Sequence, residues 1–543
     1  MNFEEKLRSK NHEGLWQEYC GFLDLDLEAF MHIQYRLMDE QIAQWSMSPL
    51  GRSILKGKTP STLQEFREQL PLTTYGDYAE ILLQKKEEML PDKPILWIET
   101  TWEGGKHPIK VAPYTKAMLD TYRTNAMAVF MLSTGNHRGE FNIRPGDHLL
   151  YGLAPLPYAT GLLPLLLDAE VRLEFLPPVK EAERMTFGQR NRLGFEMGTK
   201  KGIELFFGLS SVAHYIGESF SVKNSGTTTK RNLLAYSPQM ILRYVKAKLR
   251  CRRTGAKLKP KDLFRLKGFV CAGVDSRFYK DALEDLWGRR PLEISAGTEP
   301  TCIGTENWEK NGLYFFPDAC FYEFIPEEEM LKNLEMPEHQ PKTYLMDEVL
   351  EGKNYEIVLT VLKGGAFARY RVGDVYRCIS SGRNPDGIRL PRFVFLDRVP
   401  GIIDIAGFTR ITEHTIRDVI GLSGLKIQDW IAAKEYTAEN RPYLHLYVEL
   451  TEEAHLSSGV SASILSDHLS IYFKYADSDY QDLKRLLGMD PLKVTILTTG
   501  TFGTYRNHTD KPLARMNPDR HALADFLRHQ ALVHQDGKGG PNR

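Results

Sequence analysis

The chain lacks the charge imbalance and the compositional bias that mark several large classes of protein. Its 543 residues carry 70 Lys and Arg against 70 Asp and Glu, so the formal net charge is zero. General nucleic-acid binders carry a basic surplus that neutralises phosphates, and the missing surplus argues against that class. Hydrophobic residues make up 42% and charged residues 26% of the chain, which is typical of a globular protein and excludes a long disordered chain.

Cysteine is scarce, and the six cysteines are spread along the chain. They form no CxxC pair and no close cluster with histidine, so the spacing predicts neither a zinc site nor a disulfide framework. We therefore expect a reducing, cytoplasmic setting.

Long apolar runs are also missing. The first residues, MNFEEKLRSKNHEG, are charged and contain no apolar stretch of the kind found in signal peptides. The most apolar stretch, residues 152–168, is interrupted by Pro155, Pro157 and Pro164, which argues against a transmembrane helix. We expect no membrane span and interpret this stretch as the buried wall of a pocket or core.

Hydrophobic periodicity predicts an α/β protein. Residues 27–45 have apolar side chains at helical spacing, and residues 61–70 form a second predicted helix, capped by Ser61 or Thr62. Helical stretches alternate with short apolar runs that are bounded by Gly or Pro, which favours layered sheets and helices. The predicted strands are residues 148–154, 204–209 and 269–273, a strand pair over 366–379, and residues 392–396.

The pattern changes to a compact α/β region after residue 398. We predict a large, multi-lobed N-terminal domain of residues 1–397 and a smaller, mobile C-terminal α/β domain of residues 398–543. In the smaller domain the apolar runs predict strands near 402–405, 427–433, 444–450 and 493–497, and helices near 412–420, 462–475 and 480–487.

A basic run covers residues 246–267 and holds ten Lys and Arg side chains. Such a run could touch acidic lipid head groups or nucleic acid. The plainer alternative, a solvated helix face and loop, fits a chain whose charges balance.

The first segment that could carry chemistry is a polar loop after a short apolar run. It contains Thr100, Thr101, Gly104, Gly105 and Lys106. Glycines let backbone N–H groups point inward, hydroxyls donate to phosphate oxygens and a lysine adds a mobile charge, as a polyphosphate loop requires. The GxxxxGK[ST] spacing is missing, so this is not a Walker loop, and a plain surface turn is an equal alternative.

The second segment ends a predicted strand with Gly297, Thr298 and Glu299. It places a flexible backbone, a hydroxyl and a carboxylate side by side. The carboxylate could hold Mg²⁺, which keeps several waters and takes only one or two protein carboxylates. The alternative is a helix cap at Thr298.

The third segment runs from Arg369 to Val375 and contains Gly373-Asp374. An aspartate in a turn between strands can accept two hydrogen bonds, and this suits a vicinal diol such as a ribose. An ordinary hairpin turn with a Gly-Asp signal is the alternative.

In this order, the three segments resemble the adenylate-forming superfamily and, within it, the Gretchen Hagen auxin-responsive family of acyl-acid amido synthetases. Ser295–Glu299 is similar to the superfamily's Tyr-Gly-x-Thr-Glu at its last three positions, and Tyr370–Asp374 is similar to the ribose-binding motif. Phe393–Arg398, followed by Gly407, resembles the hinge motif between two domains. The resemblance covers nearly the whole chain and points to a divergent, bacterial-type member.

The resemblance implies a two-step ligase with ATP and Mg²⁺ as cofactors. A carboxylic acid and ATP give an acyl-adenylate and pyrophosphate, and an amine (usually an amino acid) or a thiol then attacks the acyl carbon. Glu299 would hold the metal, and Arg398 would reach the nucleotide from the domain junction. The implied nucleotide-binding residues are Thr100, Thr101, Gly104, Gly105, Lys106, Gly273, Ser295, Ala296, Gly297, Thr298, Tyr370, Asp374 and Arg398.

Three departures from the family pattern stand out. Trp102 and Glu103 occupy the first motif where small residues are usual, and Ser295 replaces the tyrosine that stacks on adenine. The catalytic lysine of the C-terminal domain corresponds either to Lys511 or to Arg515, and arginine is no equivalent of a compact ammonium. These departures motivate a non-catalytic nucleotide or acyl-acid binding protein as an alternative to the ligase.

The acyl-acid pocket is expected among residues 151–167 and 206–215. Its candidate residues are Tyr151, Leu156, Tyr158, Phe206 and Phe207, which favour an apolar or aromatic acid, although the ends of core strands look the same. The leading hypothesis is transfer of the acyl group to an amino acid, and the second is an acyl-CoA ligase with the same first step. We expect no nucleic-acid partner, and the acid, the acceptor and the oligomeric state stay open.

Overall fold

The computed structural model describes residues 2–9, 11–100, 107, 109–223, 236–273, 276–399, 401–406, 409–451, 458–476, 484, 489–509 and 513–536. The described chain forms two compact units. The first comprises Met1–Thr100 and Lys110–Asp397, and the second comprises the described residues of Thr101–Ile109 and Arg398–Arg543. The mixture of helices and strands in both units confirms the predicted α/β class.

The first unit contains fourteen described helices. They are α1 (Phe3–Arg8), α2 (His12–Cys20), α3 (Leu27–Met47), α4 (Pro49–Ile54), α5 (Leu63–Gln69), α6 (Ala79–Leu82), α7 (Lys116–Thr134), α8 (Leu163–Asp168), α9 (Val179–Ala182), α10 (Phe187–Lys201), α11 (Ser210–Lys223), α12 (Pro238–Thr254), α13 (Ser276–Trp287) and α14 (Glu327–Glu335).

The strands up to the end of the first unit are β1 (Leu96–Glu99), β2 (Val111–Tyr114), β3 (His148–Tyr151), β4 (Glu174–Leu176), β5 (Leu205–Leu209), β6 (Gly268–Ala272), β7 (Leu292–Gly297), β8 (Thr301–Glu306), β9 (Leu313–Phe315), β10 (Cys320–Pro326), β11 (Asn354–Val361), β12 (Tyr370–Ser380) and β13 (Arg392–Arg398).

Two predicted N-terminal helices are confirmed, and local capping explains where they begin. The Asp26 carboxylate accepts a hydrogen bond from the Ala29 N–H at 2.9 Å and begins α3. The Thr62 hydroxyl accepts from the Glu65 N–H at 3.2 Å and begins α5, so Thr62 is the cap. Side chains at these positions satisfy N–H groups that have no partner inside the helix.

An eleven-stranded sheet crosses the first unit in the order β10-β11-β12-β13-β9-β8-β7-β6-β5-β3-β4. Strands β4, β3, β5, β6 and β7 are parallel neighbours, while β7, β8, β9 and β13, and also β10, β11 and β12, pair antiparallel. Strand β7 therefore joins a parallel half to an antiparallel half. Ligands of open α/β sheets bind outside the carboxyl ends of parallel strands, and the carboxyl end of β7 leads directly into Thr298 and Glu299.

Aromatic side chains fill the interior of the antiparallel half. The Phe315 ring on β9 lies 5.5 Å from Tyr376 on β12 and 5.1 Å from Phe393 on β13, and Phe324 on β10 lies 5.4 Å from Phe393. The Ser295 hydroxyl on β7 lies 2.6 Å from the Tyr376 hydroxyl. Strands β7 and β12 are four places apart in the sheet, so the sheet curls until their side chains meet across its concave face.

The second unit is built on a three-stranded sheet with β17 (Pro442–Leu450) in the centre. Strand β17 pairs antiparallel with β16 (Ile427–Tyr436) and parallel with β18 (Leu492–Leu497). The strands and helices predicted near 402–405, 412–420, 427–433, 444–450, 462–475 and 493–497 are confirmed, whereas the helix predicted over 480–487 lies outside the described residues except for Lys484. The elements are β14 (Ile402–Ile405), β15 (Thr409–Thr412), α15 (Glu413–Ser423), β16 (Ile427–Tyr436), β17 (Pro442–Leu450), α16 (Ser458–Ala476), β18 (Leu492–Leu497), α17 (Thr501–His508) and α18 (Arg520–Asp536).

Within the described ranges, none of the helices combines the length and the apolar character that crossing a bilayer requires. The apolar stretch of residues 152–168 forms a loop, a short 3₁₀ turn and α8, and both Leu163 and Leu167 are buried in the core of the first unit. The interpretation of this stretch as part of a buried wall is consistent with that placement.

Candidate functional site

The β7–β8 hairpin presents Thr298 and Glu299 at its tip. Gly297 pairs with Thr301, so residues 298–300 form the turn. Thr301 has a φ of 67°, a left-handed conformation that β-branched residues rarely adopt. The Tyr114 hydroxyl donates to the Thr298 carbonyl at 2.7 Å and holds the turn against β2. A strained backbone of this kind persists only where its surroundings determine it, and such positions cluster at functional sites.

The Glu299 carboxylate is buried with two donors. Its side chain is 5% exposed, and Oε1 accepts from the Tyr370 hydroxyl at 2.7 Å and lies 3.3 Å from Lys110 Nζ. Burial raises the pKa of this carboxyl, but the Lys110 ammonium and the Tyr370 hydrogen bond outweigh burial and leave the pKa below its ordinary value. Glu299 is therefore an anion at neutral pH, held in place by a cation and a hydroxyl.

Lys110 is itself positioned by backbone and ring contacts. Its N–H donates to Thr100 Oγ1 at 2.9 Å, and the Thr100 N–H donates to the Lys110 carbonyl at 2.9 Å. The ammonium lies 5.8 Å from the centre of the Tyr75 ring, and the Tyr75 hydroxyl accepts from the Val111 N–H at 2.6 Å. Thr100 thus supports the residue that faces Glu299.

Sequence reasoning placed neither Lys110 nor Tyr75 among the site residues. Lys110 closes the polar loop that begins at Thr100, and Tyr75 lies in a segment far away in the chain. The available signal for Lys110 was its position directly before the short apolar run that forms β2. No local pattern identifies Tyr75, since its role depends on packing across the fold.

Tyr370 is the first residue of β12, and backbone hydrogen bonds to Thr73 fix the chain on both sides of it. The Thr73 N–H donates to the Arg369 carbonyl and the Arg371 N–H donates to the Thr73 carbonyl, both at 2.9 Å. The buried Arg369 guanidinium forms two hydrogen bonds of 3.0 Å with the Glu323 carboxylate. These contacts order the backbone on both sides of Tyr370, so its hydroxyl meets Glu299 without further adjustment.

Asp374 lies in a β-bulge, where sequence reasoning placed it in a turn between two strands. Arg371 pairs with Val358 and Val375 pairs with Glu356, so three residues of β12 stand opposite one residue of β11. Gly373 has a φ of 83°, which a residue with a side chain rarely adopts. The predicted strand pair over 366–379 is therefore wrong: residues 370–380 form one bulged strand. Bulges redirect side chains and recur beside active sites.

Asp374 is flanked along β12 by two side-chain hydrogen bonds to the β7–β8 hairpin. Tyr370 bonds Glu299 before it, and Tyr376 bonds Ser295 after it. The strand that carries the aspartate is thus linked twice to the hairpin that carries Thr298 and Glu299. This arrangement brings the second and third predicted segments to one region of the first unit.

The other predicted nucleotide residues of the first unit lie at the same carboxyl edge. Gly273 follows β6 with a φ of 124° and its carbonyl accepts from the Ser276 hydroxyl at 2.7 Å. Ser295 is buried and turned to Tyr376, whereas Ala296 is exposed at the end of β7. The Ser295 hydroxyl therefore forms a hydrogen bond inside the protein, whereas the small side chain of Ala296 is exposed at the end of the strand. Thr101, Gly104, Gly105 and Lys106 lie outside the described residues.

The five candidate residues of the acyl-acid pocket occupy different places. Tyr151 and Phe207 are buried on one side of the parallel strands with ring centres 6.4 Å apart. Phe206 lies on the opposite face of the sheet, in a separate core cluster, where its ring centre is 5.1 Å from that of Phe269. The structure therefore does not bring Phe206 to Tyr151 and Phe207. Leu156 is 41% exposed, and Tyr158 is half-buried beside β1. Adjacent strand residues face opposite sides, which separates this predicted pair.

In the second unit, Arg398 and Arg515 are both held by carboxylates. Arg398 Nε lies 3.9 Å from an oxygen of the buried Asp404, which Arg410 approaches to 3.3 Å. Arg515 lies 2.9 Å from Asp429, and its guanidinium is 5.6 Å from the centre of the Trp430 ring. Lys511 lies outside the described residues, so the choice between Lys511 and Arg515 stays a prediction.

The fold is that of adenylate-forming enzymes. A structure of 2-hydroxyisobutyryl-CoA ligase with 2-HIB-AMP and CoA superposes with a TM-score of 0.54 and 17% identity, and covers 94% of this chain and 93% of that chain. An acyl acid amido synthetase, AtGH3.15, in complex with 2,4-DB superposes with a TM-score of 0.50 and 14% identity, and covers 96% of each chain. At these identities, the likeness shows the fold.

A family model and one curated relative match part of the chain. Residues 313–398 match the family model described as the GH3 family central domain. A human GH3 domain-containing protein is 24% identical over 238 residues, which are 41% of this chain, and the match spans 41% of that relative's length. The predicted resemblance to the Gretchen Hagen (GH3) family of the adenylate-forming superfamily is thereby confirmed. The bacterial type stays a prediction.

Proposed function

We propose that this protein is an ATP-dependent acyl-acid ligase, which activates a carboxylic acid as an acyl-adenylate and transfers the acyl group to an amine, the amino group of an amino acid. The observation that carries the proposal is the buried, ionised Glu299 at the tip of the β7–β8 hairpin, between Lys110 and Tyr370. It lies at the carboxyl edge of the parallel strands in an adenylate-forming fold that contains a GH3 central domain.

The first half-reaction requires a site that tolerates a carboxylate next to a polyphosphate. A carboxylate that attacks the α-phosphate approaches a polyanion, so donors and cations must spread the negative charge. Thr298 supplies a hydroxyl at the hairpin tip, and Lys110 supplies an ammonium 3.3 Å from Glu299. We assign Thr298 to the α-phosphate and Lys110 to charge neutralisation at the same end of the nucleotide.

The residues also fit Mg²⁺ as a partner of the nucleotide. Among the described residues, no group of three or more His, Cys, Asp and Glu side chains could enclose a metal alone. Mg²⁺ does not need such a cage, because it takes one or two carboxylates and completes its shell with water and substrate phosphates. The low pKa of Glu299 keeps one hard oxygen ligand available at neutral pH. When bound, the ion supplies positive charge that neutralises phosphate oxygens.

Asp374 is proposed to bind the ribose. A carboxylate accepts two hydrogen bonds from a vicinal diol, and the bulge at Gly373 turns Asp374 out of the regular alternation of β12. Gly273 and Ala296, which present little side chain at the carboxyl edge, leave room for the adenine ring. Ser295 removes one aromatic face from that ring, at a cost of about 1 kcal/mol.

The acceptor separates two candidate functions that share the first half-reaction. The GH3 central domain at residues 313–398 supports an amine acceptor, because the GH3 structure of the same fold is named as an amido synthetase. A thiol acceptor is the second candidate, because the structure with the higher TM-score, 0.54, is named as a CoA ligase. Arg398 and either Lys511 or Arg515 are assigned to catalysis from the second unit in both cases.

The proposal is tested by carboxylate-dependent release of pyrophosphate from ATP. We expect release with an apolar or aromatic acid, loss of at least about tenfold in Glu299→Gln and Asp374→Ala, and no change in the exposed control Glu351→Gln. Hydroxylamine, the amino acids and coenzyme A are then offered as acceptors, and the product identifies the second step. ATP binding by calorimetry without turnover for any acid would favour the non-catalytic alternative and reject the ligase.

A further inference from the structure

Helix α12 exposes an apolar stripe on its outward side. Leu242 is 55% exposed, and Val245 and Leu249 are each 48% exposed. These positions follow each other at intervals of three and four residues, so they lie along one line of the helix. Met240 and Ala247 on the opposite side are buried in a core cluster of the first unit, which fixes the direction in which the helix faces.

Cationic side chains border this stripe on both sides. At about 100° per residue, Lys246 and Arg253 lie on one flank and Lys248 and Arg252 on the other. All four side chains are exposed. Within the described part of the chain, none of the four forms an ion pair with a carboxylate, in contrast to Arg250, which lies 2.6 Å from Asp262. Their charge is therefore presented to the surroundings.

The sequence around α12 concentrates positive charge in a chain that is neutral overall. Residues 219–261 contain twelve Lys and Arg and no Asp or Glu. Asp262 and Asp285 pair with three of these cations, Arg250, Lys259 and Lys261. The four cations that flank the stripe keep their exposed charge, so charge complementarity favours an anionic partner, and the stripe requires a partner that also accepts apolar side chains. A binding partner for this face of α12 must therefore be anionic and must also accept apolar side chains.

An anionic bilayer satisfies both requirements. In an interfacial helix, apolar side chains enter the boundary between head groups and acyl chains, while the stems of Lys and Arg lie beside them and their charges meet the lipid phosphates. Nucleic acid matches the cations but offers nothing to Leu242 and Leu249, which form the centre of the face. A second copy of the chain would bring two sets of like charges together, which opposes self-association.

We propose that α12 docks the protein reversibly on anionic lipid surfaces, with the helix axis in the plane of the membrane and Leu242, Val245 and Leu249 at the head-group boundary. The cations on both flanks hold it there, and the contact is weakened by salt. This docking does not depend on the ligase activity, and it requires no membrane-spanning segment.

The test is cosedimentation of the full-length protein with vesicles of phosphatidylcholine alone or with phosphatidylserine added. We expect binding to the anionic vesicles only, and its loss at high salt. The double variant Lys246→Gln/Arg253→Gln weakens partitioning about 25-fold, because each cation near the surface accounts for about fivefold. Leu242→Asn/Leu249→Asn weakens it by at least about tenfold.

The matched control is Leu350→Asn/Lys353→Gln. Leu350 is 60% exposed and Lys353 is exposed, and both lie in the segment between α14 and β11, outside α12. This variant is expected to bind like the unchanged protein, and circular dichroism verifies that all variants are folded. Because none of these readouts involves turnover, a failure here is independent of the proposed ligase function.

Three results would overturn the docking proposal. The first is equal binding to neutral and anionic vesicles, or no binding to either. The second is binding to anionic vesicles that the α12 variants do not weaken. The third is a concentration-dependent dimer, or an oligonucleotide complex, that Leu242→Asn/Leu249→Asn abolishes in the absence of lipid binding.

Discussion

Replacing Lys110 by methionine is expected to reverse the way in which stability depends on pH. The ammonium lies 3.3 Å from the Glu299 carboxylate, and the two side chains are 19% and 5% exposed. Methionine keeps the length of the side chain and removes the charge, so Lys110→Met leaves an anion in the interior with one hydroxyl donor, from Tyr370. Breaking a buried pair in this way costs about 3–5 kcal/mol, and the partial exposure of Lys110 favours the lower end.

The sign of the pH effect follows from the pKa of Glu299. In the unchanged protein this pKa is lowered, so the pair stabilises the fold above the pKa of the unfolded chain, and the contribution is lost as the pH falls through the folded pKa. Without Lys110, burial dominates and raises the folded pKa. The contribution is then complete only below the unfolded pKa and is lost as the pH rises.

The assay is urea unfolding followed by tryptophan fluorescence at acidic and neutral pH. Lys110→Met should lose about 3 kcal/mol at neutral pH and much less at acidic pH. The double variant Lys110→Met/Glu299→Gln should recover most of the loss, because no charge is then buried, and the cycle measures the coupling between the two residues. A loss under about 1 kcal/mol with an unchanged pH slope would refute the reasoning about this ion pair.

Three further results are expected. Tyr370→Phe removes the 2.7 Å hydrogen bond to Glu299, so the acidic limb of the pH profile of pyrophosphate release should move to higher pH. We also expect a loss of about tenfold in kcat/KM. An acidic limb that does not move would show that Tyr370 does not control the ionisation of Glu299. Burial and the neighbouring Glu306 carboxylate raise the pKa of Glu293 to about 7, although Lys280 opposes the rise. The folded form therefore loses stability as the pH rises through that value, and Glu293→Gln should gain about 1–3 kcal/mol relative to the unchanged protein between mildly acidic and alkaline pH in thermal unfolding. Burial raises the pKa of Glu435, but the hydrogen bonds from His445, Tyr447 and Tyr443 outweigh burial and lower the pKa to about 2. Because solvent screens this partly exposed carboxylate, Glu435→Gln should cost only about 1–2 kcal/mol at neutral pH in urea unfolding. The difference should shrink as the pH falls from about 4.5 towards 2, and a pH-independent difference would contradict this.

The elements that were predicted from the sequence are those whose identity is local. Periodicity predicted α3, the cap of α5 was one of two predicted candidates, Ser61 and Thr62, and short apolar runs predicted β5 and β6. In the second unit, β14 was predicted with its observed ends, Ile402 and Ile405. Such features depend on residues only a few positions apart, so a linear pattern contains the necessary information.

The candidate site was predictable only in part, because its contacts join distant positions. Thr298 and Glu299 were expected from their own segment, but Lys110 is 189 residues away from Glu299 and Tyr370 is 71 residues away. A local reading also placed Asp374 in a turn, since a Gly-Asp pair marks a turn and a bulge equally well. Which of the two forms depends on the register with β11, and that register is a property of the folded sheet.

Two side-chain hydrogen bonds link β12 to the hairpin, and both bear on the proposal that this strand binds the nucleotide. The Tyr370 hydroxyl anchors the strand at Glu299, and the Tyr376 hydroxyl anchors it again at Ser295, so both ends of the bulged segment are fixed to the hairpin. In the regular alternation of a strand, Asp374 would share a face with both tyrosines. The two extra residues of the bulge interrupt this alternation, while both tyrosines keep their contacts with the hairpin. Since Ser295 supplies this second anchor, replacement of the family's tyrosine removes a stacking face and adds rigidity to the strand that carries Asp374.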